Sequence, residues 1–133
     1  MFQVNAKTDH GLLIMVELAK SSATMPLGPL GPLAKNLGVS SAYLSQVAKS
    51  LQEAGLIASR EGQGGGFYLK LLPTQIKIWD ILQALNPTEL RCHHLDRSCP
   101  NNRHCPLPSI WPVIIEDLEK SLKKRTLYSL LKL

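Results

Sequence analysis

The stretch "LAKNLGVSSAYLSQVAKSLQEAGLI", residues 33–57, has the pattern of two helices joined by a tight turn. The first helix is predicted to end at Gly38, because glycine readily adopts the left-handed conformation that closes a helix. Ser40 or Ser41 can cap a second helix, which Gly55 would end. The apolar stripe predicted for this second helix consists of Leu44, Val47, Leu51 and Ala54. The stretch therefore predicts a helix-turn-helix.

The residues that follow predict a β-hairpin. The segment "LIASREGQGGGFYLK", residues 56–70, contains two short apolar runs, 56–58 and 67–69, on either side of a glycine-rich tip. A helix-turn-helix followed by a hairpin is a winged helix. The predicted fold class is therefore mainly α with a small β-hairpin wing.

Three more helices are predicted around this unit, over residues 8–20, 74–86 and 109–133, with residues 21–31 as a loop. Thr8 or Asp9 is the predicted cap of the first helix. Pro112 is expected in the first turn of the last helix, where proline is tolerated.

The last helix has an apolar spacing that suits pairing with another helix. Its seam residues are spaced 4, 3 and 4 apart, and they are Trp111, Ile115, Leu118 and Leu122. We therefore predict a winged DNA-binding unit over residues 1–72. Residues 73–133 would supply a connecting helix, a cysteine loop at 90–107 and a dimerisation helix.

Composition limits the class of protein. The chain has 133 residues, of which 44% are hydrophobic, 19% charged and 5% aromatic, with a formal net charge of +5. It is thus long enough for one modest core, and the positive charge permits a polyanionic partner. Few aromatic residues argue against a stacking platform for single strands. No apolar run approaches the roughly 18 residues of a membrane span, and the start "MFQVNAKTDHG" lacks the apolar segment of a secretion signal, so we expect a cytoplasmic protein.

The residue types on the second helix and the wing favour contact with double-stranded DNA. The N-terminal part of the second helix of a helix-turn-helix enters the major groove, where Ser, Gln and Lys bond base edges or phosphates. The wing glycines let the backbone come close to a phosphate, and arginine suits a minor groove. The candidate DNA-binding residues are Ser40, Ser41, Tyr43, Gln46, Lys49, Arg60 and Gln63. The alternative is a helical hairpin used for protein contacts.

All three cysteines lie in the irregular segment "LRCHHLDRSCPNNRHCPL", residues 90–107. Cys92, Cys99 and Cys105 are spaced C-x6-C-x5-C, without the C-x2-C pair typical of structural zinc sites. Thiolates are soft ligands that suit iron–sulfur clusters, and three of them leave a fourth position open to a weaker ligand. The spacing therefore favours a metal or cluster site, against the alternative of three unliganded thiols. The neighbouring histidines are weaker candidates.

Together, the helix-turn-helix, the "REGQGGGFYL" wing, the "IKIWDILQAL" helix and the three loop cysteines resemble the Rrf2-type bacterial winged-helix regulators, which include the IscR, NsrR and RirA groups. This resemblance implies a homodimer that pairs through its C-terminal helix and reads a pseudo-palindromic operator. It also implies that the loop cysteines hold an iron–sulfur cluster. Some members of the family lack these cysteines and sense other signals.

The resemblance suggests a fourth cluster ligand. The IscR-like pattern has a histidine three residues after the last cysteine, but Pro108 stands at that position here. The NsrR-like pattern has an aspartate near the start of the first helix, donated by the other subunit. In "KTDHGLL" the matching residue is Asp9. The predicted ligands are thus Cys92, Cys99, Cys105 and Asp9, with 4Fe–4S favoured over 2Fe–2S; the alternative role of Asp9 is helix capping.

We therefore predict a transcriptional regulator, most simply a repressor, whose operator binding responds to nitric oxide, iron or redox state through the cluster. One alternative is the same DNA-binding fold with redox-active thiols or zinc and no cluster. A thiol oxidoreductase is much less favoured, because the sequence contains no C-x2-C motif and no phosphate-binding glycine motif after a strand. The chain is accordingly not expected to be an enzyme.

Overall fold

The computed structural model describes residues 5–21, 24–87 and 104–133. Six helices and one two-stranded antiparallel sheet lie within these residues. In chain order they are α1 (Ala6–Leu18), α2 (Gly31–Leu37), α3 (Ser41–Glu53), β1 (Ile57–Arg60), β2 (Gly66–Leu69), α4 (Ile78–Leu85), α5 (Leu107–Lys123) and α6 (Leu127–Leu130). The prediction of a mainly helical fold with a hairpin wing is confirmed.

Helix α1 begins earlier than its sequence suggests. Its cap is Asn5, whose side-chain oxygen accepts a hydrogen bond from the backbone N–H of Thr8 at 2.9 Å. Thr8 also donates its hydroxyl to the same oxygen and is buried. The prediction that Thr8 or Asp9 caps the helix is therefore wrong, because both residues already lie inside it.

The turn of the helix-turn-helix lies where predicted, although α2 begins at Gly31, two residues before the predicted start. Gly38 closes α2 with a left-handed φ of 69°, and Ser40 caps α3 by accepting from the N–H of Tyr43 at 3.1 Å. Pro32 lies in the first turn of α2, where its missing N–H costs no helical hydrogen bond. The helix has seven residues and ends at Leu37.

The buried stripe of α3 differs from the prediction at one position. Leu44, Val47 and Leu51 are buried as predicted, but the fourth buried residue is Ala48. Ala54 is exposed instead, because it is the C-cap residue at which the helix ends. The stripe thus follows the i, i+3, i+4, i+7 spacing of a helix packed on one face.

A segment that was predicted as a loop pairs with the hairpin of the wing. Strand β1 pairs with β2 in antiparallel register from Ile57 opposite Leu69 to Arg60 opposite Gly66. Residues 21–31 were predicted as a loop, yet Leu27 pairs with Phe67 through two backbone hydrogen bonds of 2.9 and 3.0 Å. The loop prediction therefore missed an isolated antiparallel β-bridge to strand β2 of the wing.

One buried apolar cluster connects the winged unit to the later helices. Helix α1 packs against α3, and α4 packs against both of them. Helix α4 is shorter than the predicted 74–86, because residues 73–75 form a turn and Lys77 is its N-cap. The fully buried members of the cluster with the largest side chains are Ile14, Met15, Leu18, Leu44, Leu51, Ile57, Ile76, Ile81 and Leu127.

The prediction of one continuous helix over residues 109–133 is wrong. Helix α5 ends at Lys123, and the chain then forms an isolated antiparallel bridge between Lys77 and Thr126. In this bridge the N–H of Ile78 donates to the carbonyl of Arg125, and the N–H of Leu127 donates to the carbonyl of Ile76, both at 2.9 Å. The bridge turns the chain back, so that Leu127 enters the core with none of its surface exposed.

Helix α5 contributes no buried residue. It begins at Leu107, so Pro112 lies in its second turn and not in the predicted first turn. Because proline has no N–H, the carbonyl of Pro108 lacks the helical hydrogen bond that residue 112 would otherwise donate. The four predicted seam residues, 111, 115, 118 and 122, are half-buried within the chain, and Leu122 packs against the buried cluster. The apolar residues that stay exposed on this helix are Leu107, Ile110, Val113 and Ile114.

The polar side of α5 carries two ion pairs at i, i+4 spacing, Glu116–Lys120 and Glu119–Lys123. The hydrogen bond and the charge of Lys120 lower the pKa of the Glu116 carboxyl. Among the described residues, no helix is long and apolar enough to cross a membrane.

Replacing Leu127 by alanine should destabilise the protein by about 2–5 kcal/mol, because the change leaves a cavity in the core that α6 closes. The matched control is Leu133→Ala, since Leu133 is 96% exposed; its effect should stay below about 0.5 kcal/mol. Urea unfolding followed by circular dichroism measures both free energies. Equal stability of the two variants would contradict the packing of α6 described here.

Candidate nucleic-acid interface

Helix α3 presents a polar face opposite its buried stripe. Ser41, Gln46 and Lys49 are all exposed there, as the sequence predicts. Ser40 is exposed too, but its hydroxyl oxygen already accepts the capping hydrogen bond from Tyr43. The face therefore offers hydroxyl, amide and ammonium groups of the kind that bond base edges and phosphates.

Two contacts fix or occupy side chains on this helix. Nζ of Lys49 lies 3.9 Å from Oε1 of Glu53, and both side chains are mostly exposed. The ion pair therefore contributes little to stability and leaves the ammonium group accessible. Near the other end, the amide of Gln52 donates to the hydroxyl of Ser59 at 3.3 Å. This second bond connects α3 directly to the first strand of the wing.

Tyr43 is placed differently from the other predicted DNA-binding residues. It is half-buried, and its hydroxyl oxygen lies 3.1 Å from Nδ1 of His10 on α1. The two rings meet edge to face, with centroids 5.5 Å apart and planes at 83°. Sequence reasoning missed His10, because the partners are 33 residues apart and only the packing of α1 on α3 brings them together.

The wing exposes Arg60 and Gln63, as predicted, together with the carboxylate of Glu61. Its shape depends on Gly66, where an added Cβ would lie 1.7 Å from the carbonyl oxygen of Leu27. That distance is far below van der Waals contact, and the atom approached belongs to the backbone. A glycine is therefore required where the wing and the Leu27 segment meet.

Two of the predicted cluster ligands lie within the described residues. Asp9 is exposed in the first turn of α1, and the structure gives its carboxylate no hydrogen bond or ion pair with any described residue. Cys105 is a free, half-buried thiol just before α5. Cys92 and Cys99, like His93 and His94, fall outside the described residues, and the described part of the chain contains no group of three metal-binding side chains.

The two described donors have the chemistry that an iron–sulfur cluster needs. The thiol of Cys105 is not used in a disulfide, and the carboxylate of Asp9 is not used in a cap, because Asn5 performs that role. A soft thiolate and an exchangeable oxygen ligand both bind iron. The chemistry of these two described residues therefore fits the group that the sequence suggests.

Comparison with known proteins identifies relatives over nearly the whole chain. The Rrf2 family, described as "Iron-dependent Transcriptional regulator", matches residues 4–133. The HTH-type transcriptional regulator IscR of Aliivibrio salmonicida is 28% identical over 111 residues, which cover 82% of this chain and 65% of that protein.

Solved structures with the same fold include two regulators of similar sequence. CymR of B. subtilis, described as the global cysteine regulator, has 30% identity and a TM-score of 0.73, covering 99% of this chain and 98% of that one. IscR of T. potens has 29% identity and a TM-score of 0.68, covering 98% and 87%. These structures are winged-helix regulators, and none of these relatives is described as an enzyme.

Substituting Gly66 by alanine should break the pairing of Leu27 with Phe67, because the new methyl group cannot fit against the Leu27 carbonyl. Amide hydrogen exchange at Leu27 and Phe67 should accelerate at least about tenfold, corresponding to a loss of roughly 1.4 kcal/mol in local stability.

The control for this prediction is Gly64→Ala. Gly64 has a positive φ of 77°, but an added Cβ there meets nothing within 4 Å. This variant should lose overall stability by about 1–2 kcal/mol from backbone strain while both amides remain protected relative to their neighbours. Unchanged exchange at Leu27 and Phe67 in Gly66→Ala would refute the close approach.

Proposed function

The chain belongs to the Rrf2 family of winged-helix, DNA-binding transcriptional regulators, and from this membership we propose that it is a cytoplasmic, homodimeric repressor whose operator binding is controlled by an iron–sulfur cluster. The observation that carries the proposal is the exposed carboxylate of Asp9, which forms no hydrogen bond or ion pair with the described residues and lies on α1, the helix that packs against α3. A ligand held by Asp9 would thus act on an element in direct contact with the DNA-reading helix.

DNA would be read by α3 and the wing together. In the proposed complex Ser41, Gln46 and Lys49 enter the major groove, while Arg60 and Gln63 approach the backbone or the minor groove. The hydrogen bond between Gln52 and Ser59 supports this arrangement, because it keeps the helix and the wing strand in a fixed relation. Ser40 serves α3 chiefly as its cap.

A homodimer would place two such units on a pseudo-palindromic operator. The exposed apolar residues Leu107, Ile110, Val113 and Ile114 support α5 as the pairing helix, since apolar side chains clustered on one helix are stabilised when a partner covers them. Half-sites about one DNA turn apart make specific binding sensitive to the angle between the two units.

The proposed cluster ligands are Cys92, Cys99 and Cys105, with Asp9 from the second subunit. When bound, a cluster with one carboxylate ligand supplies an iron that nitric oxide or oxygen can attack. The chain's own residues do the coupling: Cys105 lies at the start of α5, and Asp9 lies on α1. While both residues hold one ligand, α5 of one subunit is linked to the winged unit of the other; when Asp9 is released, this link between the subunits is lost.

The similarity to CymR supports a second candidate function. That protein is described as a global cysteine regulator, and it is 30% identical to this chain. The second candidate is the alternative predicted from the sequence, a regulator of the same DNA-binding fold with redox-active thiols or zinc and no cluster. Metal content distinguishes the two candidates.

Protein purified without oxygen should be brown, with about four irons and four sulfides per chain. In Asp9→Ala the visible absorption should decay faster in air than in wild type, because the fourth ligand is lost. Glu53→Ala, which removes an exposed carboxylate from α3, is the control and should decay at the wild-type rate. A colourless protein that contains zinc or no metal would overturn cluster control and favour the second candidate.

Cluster loading should change specific DNA affinity by about tenfold or more, a coupling of roughly 1.4 kcal/mol. The probe is a duplex of about 30 base pairs that the wild-type protein selects from a random library. A duplex of the same composition in shuffled order is the control. Binding of both duplexes is measured against salt concentration for loaded and cluster-free protein. Equal affinities of the two forms for the selected duplex would refute cluster control, and no selectable duplex would refute operator recognition.

A further inference from the structure

The contact between His10 and Tyr43 joins the two helices that matter most for the proposed function. Nδ1 of His10 lies 3.1 Å from the Tyr43 hydroxyl, a hydrogen-bond distance in either imidazole tautomer, and the rings also meet edge to face. Edge-to-face aromatic contacts are attractive and directional, so the pair has two restraints on its relative orientation. Both residues are half-buried, which shields the bond partly from water.

Each partner occupies the first turns of its own helix. Tyr43 lies three residues after the cap residue Ser40, and its backbone N–H donates the capping hydrogen bond to the Ser40 hydroxyl oxygen. Ser41 precedes it, and Gln46 lies one turn later. A restraint on Tyr43 therefore fixes the N-terminal turn of α3, which is the part of a recognition helix that contacts base edges.

On α1, His10 immediately follows Asp9. Successive helical residues point about 100° apart, so one turn directs the Asp9 carboxylate outward and the His10 ring toward α3. The backbone N–H groups of Thr8 and Asp9 both donate to the Asn5 carbonyl, and Asp9 and His10 are neighbours in the same helical turn. A displacement of Asp9 is thus a displacement of His10.

We infer that His10 is a positioning residue for DNA recognition, which relays the state of Asp9 to the recognition helix through Tyr43. The inference rests on the proposed function, since it takes Asp9 to be held by a ligand in one state and released in the other. It also assigns Tyr43 a role that differs from the predicted one: its hydroxyl binds His10 and is not directed at DNA.

The test is a double-mutant cycle on specific DNA affinity, using the selected duplex and the shuffled duplex as probes. His10→Phe keeps a ring against Tyr43 and removes the nitrogen, whereas Tyr43→Phe removes the hydroxyl. Either change deletes the same hydrogen bond, so each should weaken binding of the selected duplex by about 3- to 10-fold in cluster-loaded protein. The double variant should lose no more than either single variant.

Two further variants complete the design. His10→Asn places an amide near the position of Nδ1, and we expect it to recover at least about half of the lost binding free energy. Tyr128→Phe removes a tyrosine hydroxyl from α6, where the ring contacts Lys132, and should bind as wild type does. Affinity for the shuffled duplex should stay unchanged in all variants. If a substitution simply unfolded α3, affinity for the shuffled duplex would fall as well.

The same measurements on cluster-free protein complete the test. There, the single variants should bind within about twofold of wild type, because the released Asp9 no longer holds His10 in place. A loss in Tyr43→Phe with none in His10→Phe would show a direct Tyr43–DNA contact and overturn the inference. Additive losses, or equal losses in loaded and cluster-free protein, would overturn it as well. Failure of the proposed function is detected separately, with the wild-type protein alone. It would appear as equal affinity of the cluster-loaded and cluster-free forms for the selected duplex.

Discussion

The burial of one apolar stripe on α3 against α1 and α4 is the constraint on which the rest of the structure depends. A helix that buries Leu44, Val47, Ala48 and Leu51 must turn its opposite face outward, and that face carries the polar side chains of the candidate interface. The same packing sets the relation between α1 and α3 and brings His10 to Tyr43. Stability and the geometry of the reading face therefore have the same physical origin.

The long helix α5 relates to this core in a different way. None of its residues is buried, and the chain beyond it is held through the backbone bridge at Thr126 and the buried side chain of Leu127. Its other end follows Cys105, the last cysteine of the cysteine loop. A helix fixed by the core at one end and by a ligand at the other would change its angle when that ligand is lost, which is the physical basis of the regulator proposed above.

Predictions from sequence mostly succeeded where a local rule decides the structure, although the local cap of α1, Asn5, was missed. Gly38 and Ser40 are helix-terminating and helix-capping residues in the predicted positions, because left-handed glycine and a serine cap act within one turn of chain. They failed where a distant partner decides it. Leu27 lies in a stretch with the composition of a loop, yet it joins the wing because Phe67 offers its backbone there, and the predicted last helix is interrupted because Lys77 pairs with Thr126.

The sequence by itself determined the winged-helix class, the position of the turn in the helix-turn-helix, and the family to which the chain belongs. It also determined the exposure of Ser41, Gln46, Lys49, Arg60 and Gln63. These features follow from short-range periodicity and from residue types at fixed spacing. Only the tertiary structure decided that Tyr43 binds His10 and which face of α5 stays exposed. Both depend on how helices distant in sequence pack together, and no local pattern encodes that packing.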